Sequence, residues 1–274
     1  MILKFININR AIKILFYATF AASVSACSIL PDKYDETLSW SEKKLYENGQ
    51  ESLKDKDYNT SAKYFELFEG RFPLNKLAKQ ALLNVSYSYY KGGEKQAASQ
   101  AAERFIELYP NDDQVDYAYY LRGLIYFNDD LGLFGRFAES SYSERDPQSM
   151  KTSYTAFKAL VERFPKSKYT PDALDRMRFI VNSLATHDML IARYYYQRGA
   201  YLAAANRAEQ VIKEYERAPA IEESLFIIFK SYDVLGIKDL KDNAYATLLK
   251  NFPNSKFLDK KDRQELKKII PAGK

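Results

Sequence analysis

The chain has 274 residues, of which 46% are apolar, so one or two domains with a substantial buried core are expected. The formal net charge is +5, and three of the basic residues, Lys4, Arg10 and Lys13, lie in an opening segment that contains no acid. The remaining charge of +2 (5 minus 3) gives no argument for nucleic-acid binding.

The first 26 residues are typical of an export signal, because basic residues precede an apolar run over 14–24. That run is too short to span a bilayer as a stable helix. It ends in Val24-Ser25-Ala26-Cys27, which resembles the bacterial lipobox, where the cysteine receives a diacylglycerol and becomes the new amino terminus. Two or more acyl chains hold a protein stably on a membrane, so we expect Cys27 to be a lipid attachment site. An ordinary signal peptide with an incidental cysteine is the alternative.

Ser28 follows Cys27, whereas enteric lipoproteins retained in the inner membrane carry aspartate at that position. This difference favours the periplasmic face of the outer membrane. Residues 27–40 show no helical period and are expected to form a lipidated tether. Trp40, the only tryptophan, is interpreted as a packing residue at the first helix.

Five predicted helix ends share one pattern, an aromatic residue with a proline close behind it. Proline lacks an N–H and disfavours helix for the residue before it, so each copy predicts a helix stop. The aromatic residues are Phe72, Tyr109, Phe164, Tyr215 and Phe252, with the proline delayed to Pro219 in the fourth copy. Apolar or small residues lie seven and four positions earlier, which predicts one buried face per helix: Phe65 and Phe68, Ala102 and Phe105, Phe157 and Leu160, Ala208 and Val211, Tyr245 and Leu248.

The spacing of these ends indicates a repeat. Phe72 to Tyr109 and Tyr215 to Phe252 are both 37 residues, and the two middle gaps are longer by 18 and 14. A second marker, a small residue followed three later by tyrosine, keeps the same register at Ser86, Gly123 and Ala192. A period near 34 residues with two helices, small packing residues and a terminal proline resembles tetratricopeptide repeats. A generic helical bundle is the alternative.

We therefore predict an all-α tetratricopeptide-repeat solenoid of about five helix hairpins plus a carboxy-terminal capping helix. The amino-terminal repeats occupy 41–128, an ordered insertion loop occupies 129–146, and the carboxy-terminal repeats with the cap occupy 147–270. The predicted helices cover 41–54, up to 72, 75–91, up to 109, 113–127, 147–164, 171–198, 201–215, 221–235, 238–251 and 258–270. The segment 171–198 is predicted as one long helix or two stacked ones. The basic residues of the last helix are expected to be the solvated face of the cap.

Motifs for catalysis, cofactors or metals are not found in the sequence. His187 is the only histidine and has no nucleophile motif near it, so it is interpreted as a structural or surface residue. No His/Cys cluster has metal-ligand spacing, and no Walker loop or dinucleotide fingerprint occurs. These observations favour a binding scaffold without cofactor or metal over an enzyme.

The first helices of tetratricopeptide hairpins line a concave groove. With Ser86 and Gly123 as packing positions, helical spacing predicts an aromatic-lined groove that could accept an extended peptide ending in an aromatic residue. The residues expected to line it are Tyr46, Leu83, Tyr87, Tyr90, Tyr117, Tyr120, Leu124 and Phe127, with Lys91 and Arg122 near the edges. The alternative for any of these tyrosines is packing against the neighbouring helix.

Longer runs carry a family resemblance. They include Asp116-Tyr117-Ala118-Tyr119-Tyr120-Leu121-Arg122-Gly123-Leu124, Phe164-Pro165-Lys166-Ser167-Lys168-Tyr169 and Tyr195-Tyr196-Gln197-Arg198-Gly199-Ala200-Tyr201. With the lipobox and the two insertions, the chain resembles the BamD family, the lipoproteins of the outer-membrane β-barrel assembly machinery. The tether and the tail beyond Ser255 diverge from the family pattern.

The resemblance implies a non-enzymatic role in a complex. Members bind the periplasmic POTRA domains of the barrel subunit BamA through their carboxy-terminal repeats, together with other lipoproteins of the machinery. Their amino-terminal repeats receive the aromatic-ended terminal strand of unfolded outer-membrane proteins. The family's BamA-contacting arginine lies in an Asn-Arg pair, which here is Asn206-Arg207. Two other functions stay open: an adaptor for peptidoglycan enzymes, and a lipid-anchored hydrolase that would depend on His187.

Overall fold

The computed structural model describes residues 36–127 and 146–258. The chain divides into two compact units at Leu45. In the first, Glu36–Ser39 forms a short 3-10 helix inside the segment expected to be a tether. Next to it, the Lys44 ammonium lies 4.4 Å from the centroid of the Trp40 ring.

The described residues form ten α-helices and no strand. They are α1 (Glu42–Lys54), α2 (Tyr58–Arg71), α3 (Ala78–Gly92), α4 (Lys95–Leu108), α5 (Val115–Tyr126), α6 (Pro147–Arg163), α7 (Thr170–Gln197), α8 (Tyr201–Glu214), α9 (Ala220–Leu235) and α10 (Lys238–Asn251). The all-α prediction is confirmed, and the segment left open as one or two helices is the single helix α7. The lipobox lies outside the described residues, as does all but the last residue of the insertion expected over 129–146 and all but the first residue of the helix expected over 258–270.

The five aromatic positions end five helices in the same way. Each stands directly after the last helical residue, at φ near −130°, and its N–H donates to the carbonyl four residues back. Phe72 and Tyr109 also fold their rings back onto Phe68 and Phe105, at centroid distances of 5.7 and 5.3 Å. All ten residues predicted upstream of these ends are buried. The repeated pattern therefore stops each helix and anchors its inner face.

Small residues let the two helices of a hairpin approach closely. The Ser86 hydroxyl donates to the Ala98 carbonyl at 2.8 Å, and the Ser153 hydroxyl donates to the Gly123 carbonyl at 2.8 Å. At Gly123 an added Cβ would lie 2.2 Å from the Phe157 ring. These contacts explain why the small marker recurs in register with the helix ends.

Within the second unit, each helix from α2 to α10 packs against the next one along the chain. Two further contacts, α3 with α5 and α7 with α9, join the first helices of successive hairpins. Hairpins stacked in this order bury a continuous core between neighbours. The first helices also stand side by side, and this arrangement creates the groove described below.

Candidate functional site

The groove lies along the first helices of the amino-terminal hairpins. It has a volume of about 680 Å³ and is bounded by α1, α3, the start of α5 and the turn before α7. We call it the first-helix groove. Its lining residues are Leu53, Gln80, Asn84, Tyr87, Asp113, Gln114, Asp116, Tyr117, Lys166, Ser167, Lys168 and Tyr169.

Three tyrosines form an aromatic cluster at this groove: Tyr117 and Tyr169 line it, and Tyr120 packs against Tyr169. The rings of Tyr120 and Tyr169 stack at 4.8 Å, and Tyr117 lies 5.5 Å from Tyr169. The Tyr120 hydroxyl donates to Asp172 at 2.7 Å. Burial, followed by this hydrogen bond, raises the pKa of Tyr120 to about 12. Burial likewise raises the pKa of Tyr117.

Amide side chains also line the groove. Gln114 donates to Gln80 at 3.0 Å, and Gln80 donates to the Asn84 carbonyl oxygen at 3.0 Å. The Asn84 amide nitrogen is buried and has no hydrogen-bond partner. The chain of hydrogen bonds therefore ends on a buried donor of a residue that lines the groove.

The charged residues of the groove balance in number. Lys166 and Lys168 line it together with Asp113 and Asp116. Asp116 also accepts a hydrogen bond from the Ser167 hydroxyl at 2.6 Å, which ties the turn before α7 to α5. A groove of this composition suits a polypeptide with apolar and main-chain polar groups better than a strongly charged ligand.

Two residues expected on the groove belong to the core. Leu83 is 1% exposed and Phe127 is 5% exposed. Phe127 packs edge-on against Phe157 and Phe179, at centroid distances of 6.1 and 5.8 Å. The prediction that both line the groove was therefore wrong. Leu83 lies three residues before Ser86 and Phe127 four residues after Gly123, which places them only about 60° and 40° around the helix from these packing positions. Both side chains therefore stay near the packing face.

The other predicted residues are not among those that line the groove. Tyr46 packs edge-on against Phe65 at 5.5 Å within the first hairpin. Tyr90 and Leu124 are half-buried against the core cluster that contains Leu121. Two basic residues complete the set: Lys91 lies 5.6 Å from the Tyr90 ring centroid, and Arg122 pairs with Glu103 at 3.2 Å. Of the predicted set, Tyr87 and Tyr117 line the groove directly.

Arg207 takes part in a polar network between α7 and α8. Its guanidinium donates to Asp188 at 3.1 Å and to Gln210 at 3.0 Å, and the Tyr215 hydroxyl donates to the same Asp188 at 3.0 Å. The Arg207 side chain is 34% exposed, and its buried Nε has no partner. Asn206 beside it is exposed. The pair therefore lies at the surface of the carboxy-terminal repeats, with Arg207 anchored from within the chain.

His187 is half-buried in α7. Within the described ranges, no group of three or more His, Cys, Asp or Glu residues has the arrangement of a metal site. None of the described helices is long and apolar enough to cross a membrane.

Sequence reasoning missed Asn84, Gln80, Gln114 and Tyr169. Asn84 lies three residues before Tyr87, so helical spacing alone could have placed it on the same face. Tyr169 follows a helix stop and reaches Tyr117 across 52 residues that include the insertion (169 minus 117), so no short-range pattern indicates it.

Comparison with known proteins gives one consistent family. The family model YfiO, described as outer membrane lipoprotein, matches residues 39–248. The outer membrane protein assembly factor BamD of Neisseria meningitidis serogroup A is 42% identical over 249 residues, which cover 90% of this chain and 93% of the relative. The proteins of the same name from Pasteurella multocida and Vibrio cholerae are 32% and 31% identical, covering 86% and 78% of this chain and 89% and 87% of theirs.

Proposed function

Because the chain belongs to the BamD family of outer-membrane protein assembly factors, we propose that it is a non-enzymatic scaffold of β-barrel assembly in the outer membrane. The single observation that best supports a holding role is the first-helix groove, which is lined by tyrosine rings and by amide side chains. Such a surface binds a polypeptide without any chemical step, and it calls for no cofactor or metal.

The proposed ligand of the groove is the aromatic-ended terminal segment of an unfolded outer-membrane protein. Tyr87, Tyr117 and Tyr169 offer ring faces and edges for an aromatic side chain, with Tyr120 supporting Tyr169 from behind. Aromatic residues provide a large contact area with few rotatable bonds to immobilise. Tyr46, Tyr90, Lys91, Arg122 and Leu124 lie outside the groove lining, and Leu83 and Phe127 stabilise the helices that carry it.

The test is binding of a synthetic ten-residue peptide of alternating apolar residues with carboxy-terminal phenylalanine. Tyr87→Ala is expected to weaken binding about tenfold, since a ring contact and its buried area are lost. Tyr154→Ala is the matched control, because Tyr154 is also half-buried but lies in α6, away from the groove lining. Equal affinity of the peptide for the wild-type protein and Tyr87→Ala would exclude the groove as its site.

We further propose that the carboxy-terminal repeats bind the POTRA domains of BamA through the surface at Asn206 and Arg207. A guanidinium that is one-third exposed and held in place by Asp188 is pre-oriented to donate hydrogen bonds to a second carboxylate, from a partner. Other lipoproteins of the machinery would join the same complex.

Arg207→Glu is expected to reduce co-purification with BamA several-fold. The same substitution places a second carboxylate beside Asp188 and could therefore destabilise the fold. The double variant Arg207→Asp with Asp188→Arg restores an internal ion pair while reversing the charge at position 207. Reduced co-purification of both variants supports the interface. Arg104→Glu is the matched control, since Arg104 forms a comparable pair with Glu69 in the amino-terminal repeats. Full recovery by the double variant would show that Arg207 only stabilises the fold.

A further inference from the structure

One buried donor in the first-helix groove has no partner within the described chain. Asn84 on α3 is 9% exposed, and its amide nitrogen is buried without a hydrogen bond. Its carbonyl oxygen is already engaged by Gln80, and Gln80 is in turn engaged by Gln114. The relay fixes the orientation of the Asn84 amide and leaves its nitrogen as the terminal donor.

An unsatisfied buried donor destabilises the fold, and the large majority of buried polar side chains have a hydrogen-bond partner. Leucine would fill nearly the same volume at this position without that cost. The asparagine is therefore unfavourable for the empty protein. It becomes favourable once an acceptor oxygen enters the groove beside Tyr87 and Tyr117.

The surroundings restrict which acceptor fits. The two lysines and two aspartates of the groove balance, so the site has no excess positive charge to select a carboxylate. A neutral carbonyl oxygen is the acceptor that such a balanced site accommodates. An extended polypeptide presents these at every second residue on one side, with side chains available for the tyrosines of the groove.

We propose that Asn84 reads the main chain of the bound segment by donating a hydrogen bond to one of its peptide carbonyls. This inference rests on the proposed function of the groove and specifies how the groove recognises its ligand. The tyrosines select an aromatic or apolar side chain, while Asn84 binds a peptide carbonyl, a group that is present in every sequence. Many different client sequences can then share one site.

The test compares Asn84→Leu with the wild-type protein, using the ten-residue peptide ending in phenylalanine as probe. Asn84→Leu is expected to bind it about tenfold more weakly, while its thermal midpoint stays equal or rises because the buried donor is gone. Asn243→Leu is the matched control, since Asn243 is exposed on α10; it should leave peptide affinity unchanged. An affinity of Asn84→Leu equal to that of the wild-type protein would overturn the inference, and so would a large fall in its thermal midpoint.

A second comparison identifies the acceptor. In a peptide series with single amide-to-ester replacements, one replacement should weaken binding to the wild-type protein and have little effect on Asn84→Leu. The loss caused by Asn84→Leu should be the same for the carboxy-amidated peptide and the free acid. A loss confined to the free acid would assign Asn84 to the terminal carboxylate and contradict main-chain reading. Failure of the wild-type protein to bind any of these peptides would instead contradict the proposed function itself.

Discussion

At the scale of single residues, the close packing of α6 against α5 depends on the absence of a side chain at Gly123. The hydroxyl of Ser153 donates to its carbonyl, and the Phe157 ring occupies the space that a side chain would need. Phe157 is completely buried, so the ring has little freedom to move aside. The third hairpin therefore depends on a residue without a Cβ.

Gly123→Ala is expected to lower the free energy of unfolding by about 1–3 kcal/mol, as overpacking of a filled core does. The measurement is urea denaturation followed by circular dichroism. Gly70→Ala is the matched control: it is also helical, but nothing lies within 4 Å of an added Cβ. That control should be neutral or stabilising by about 0.5–1 kcal/mol. Equal behaviour of the two variants would contradict the packing described at Gly123.

Tyr120 gives a prediction for alkaline pH. Its folded pKa of about 12 lies above the ordinary value of 10.0, because burial and Asp172 disfavour the tyrosinate. The stabilisation that follows from this shift is complete below about pH 10 and is lost as the pH rises through about 12. Between these values the unfolding free energy of the wild-type protein should fall more steeply than that of Tyr120→Phe. If urea denaturation gives the same pH dependence of the unfolding free energy for both proteins across this range, the pKa of Tyr120 is not raised.

Residue-level prediction from sequence succeeded where spacing determines the environment. The buried positions before each aromatic helix end follow from helical periodicity alone. Leu83 and Phe127 were misplaced because periodicity gives a direction around one helix, whereas burial depends on which neighbours stand there. Asn84 and Tyr169 acquire their significance only through contacts between different hairpins.

At the scale of helices and turns, residues that start or stop helices made the helix boundaries predictable from the sequence. Aromatic-proline pairs marked helix ends, and Gly93 and Gly236 adopt the positive φ values that end α3 and α9. The start of α6 is equally explicit: Asp146 accepts from the N–H groups of Gln148 and Ser149, and Pro147 occupies the first turn. The long helix α7 was harder to predict, because the absence of a breaker fits both one helix and two stacked helices.

Asp146→Ala is expected to lower the free energy of unfolding, since two N–H groups at the start of α6 lose their acceptor. Asp55→Ala is the matched control, because Asp55 lies exposed in the turn between α1 and α2, and the helix cap there is Asp57. Urea midpoints of the two variants give the comparison. Hydrogen bonds from Ser149 hold the pKa of Asp146 below its usual range, so the capping contribution should disappear as the pH falls through that lowered value. A midpoint for Asp146→Ala within error of the control would contradict the cap.

At the scale of the whole molecule, the repeat provides both the stability and the proposed binding surface. Stacking of hairpins buries the faces before the aromatic ends, and the same stacking sets first helices side by side around the groove. The family assignment was within reach of sequence, because the motifs span most of the chain. The composition of the groove was not, because it combines residues from α1, α3, α5 and the turn before α7.

Membrane attachment is a separate prediction at this scale, based on the lipobox at Cys27. Cys27→Ser is expected to move the protein from the membrane fraction to the soluble periplasmic fraction, since the predicted acyl chains would have no attachment site. Ser28→Ala is the matched control and should stay in the membrane fraction. Retention of Cys27→Ser in the outer membrane would contradict lipid anchoring through this residue.

The most direct test of the central claim is reconstituted assembly. An unfolded outer-membrane β-barrel protein is added to vesicles containing BamA, with or without this protein, and its folding is followed by protease resistance. We expect faster folding when the protein is present, and a smaller acceleration with Tyr87→Ala than with Tyr154→Ala. Identical folding rates with and without the protein would contradict its role as an assembly scaffold.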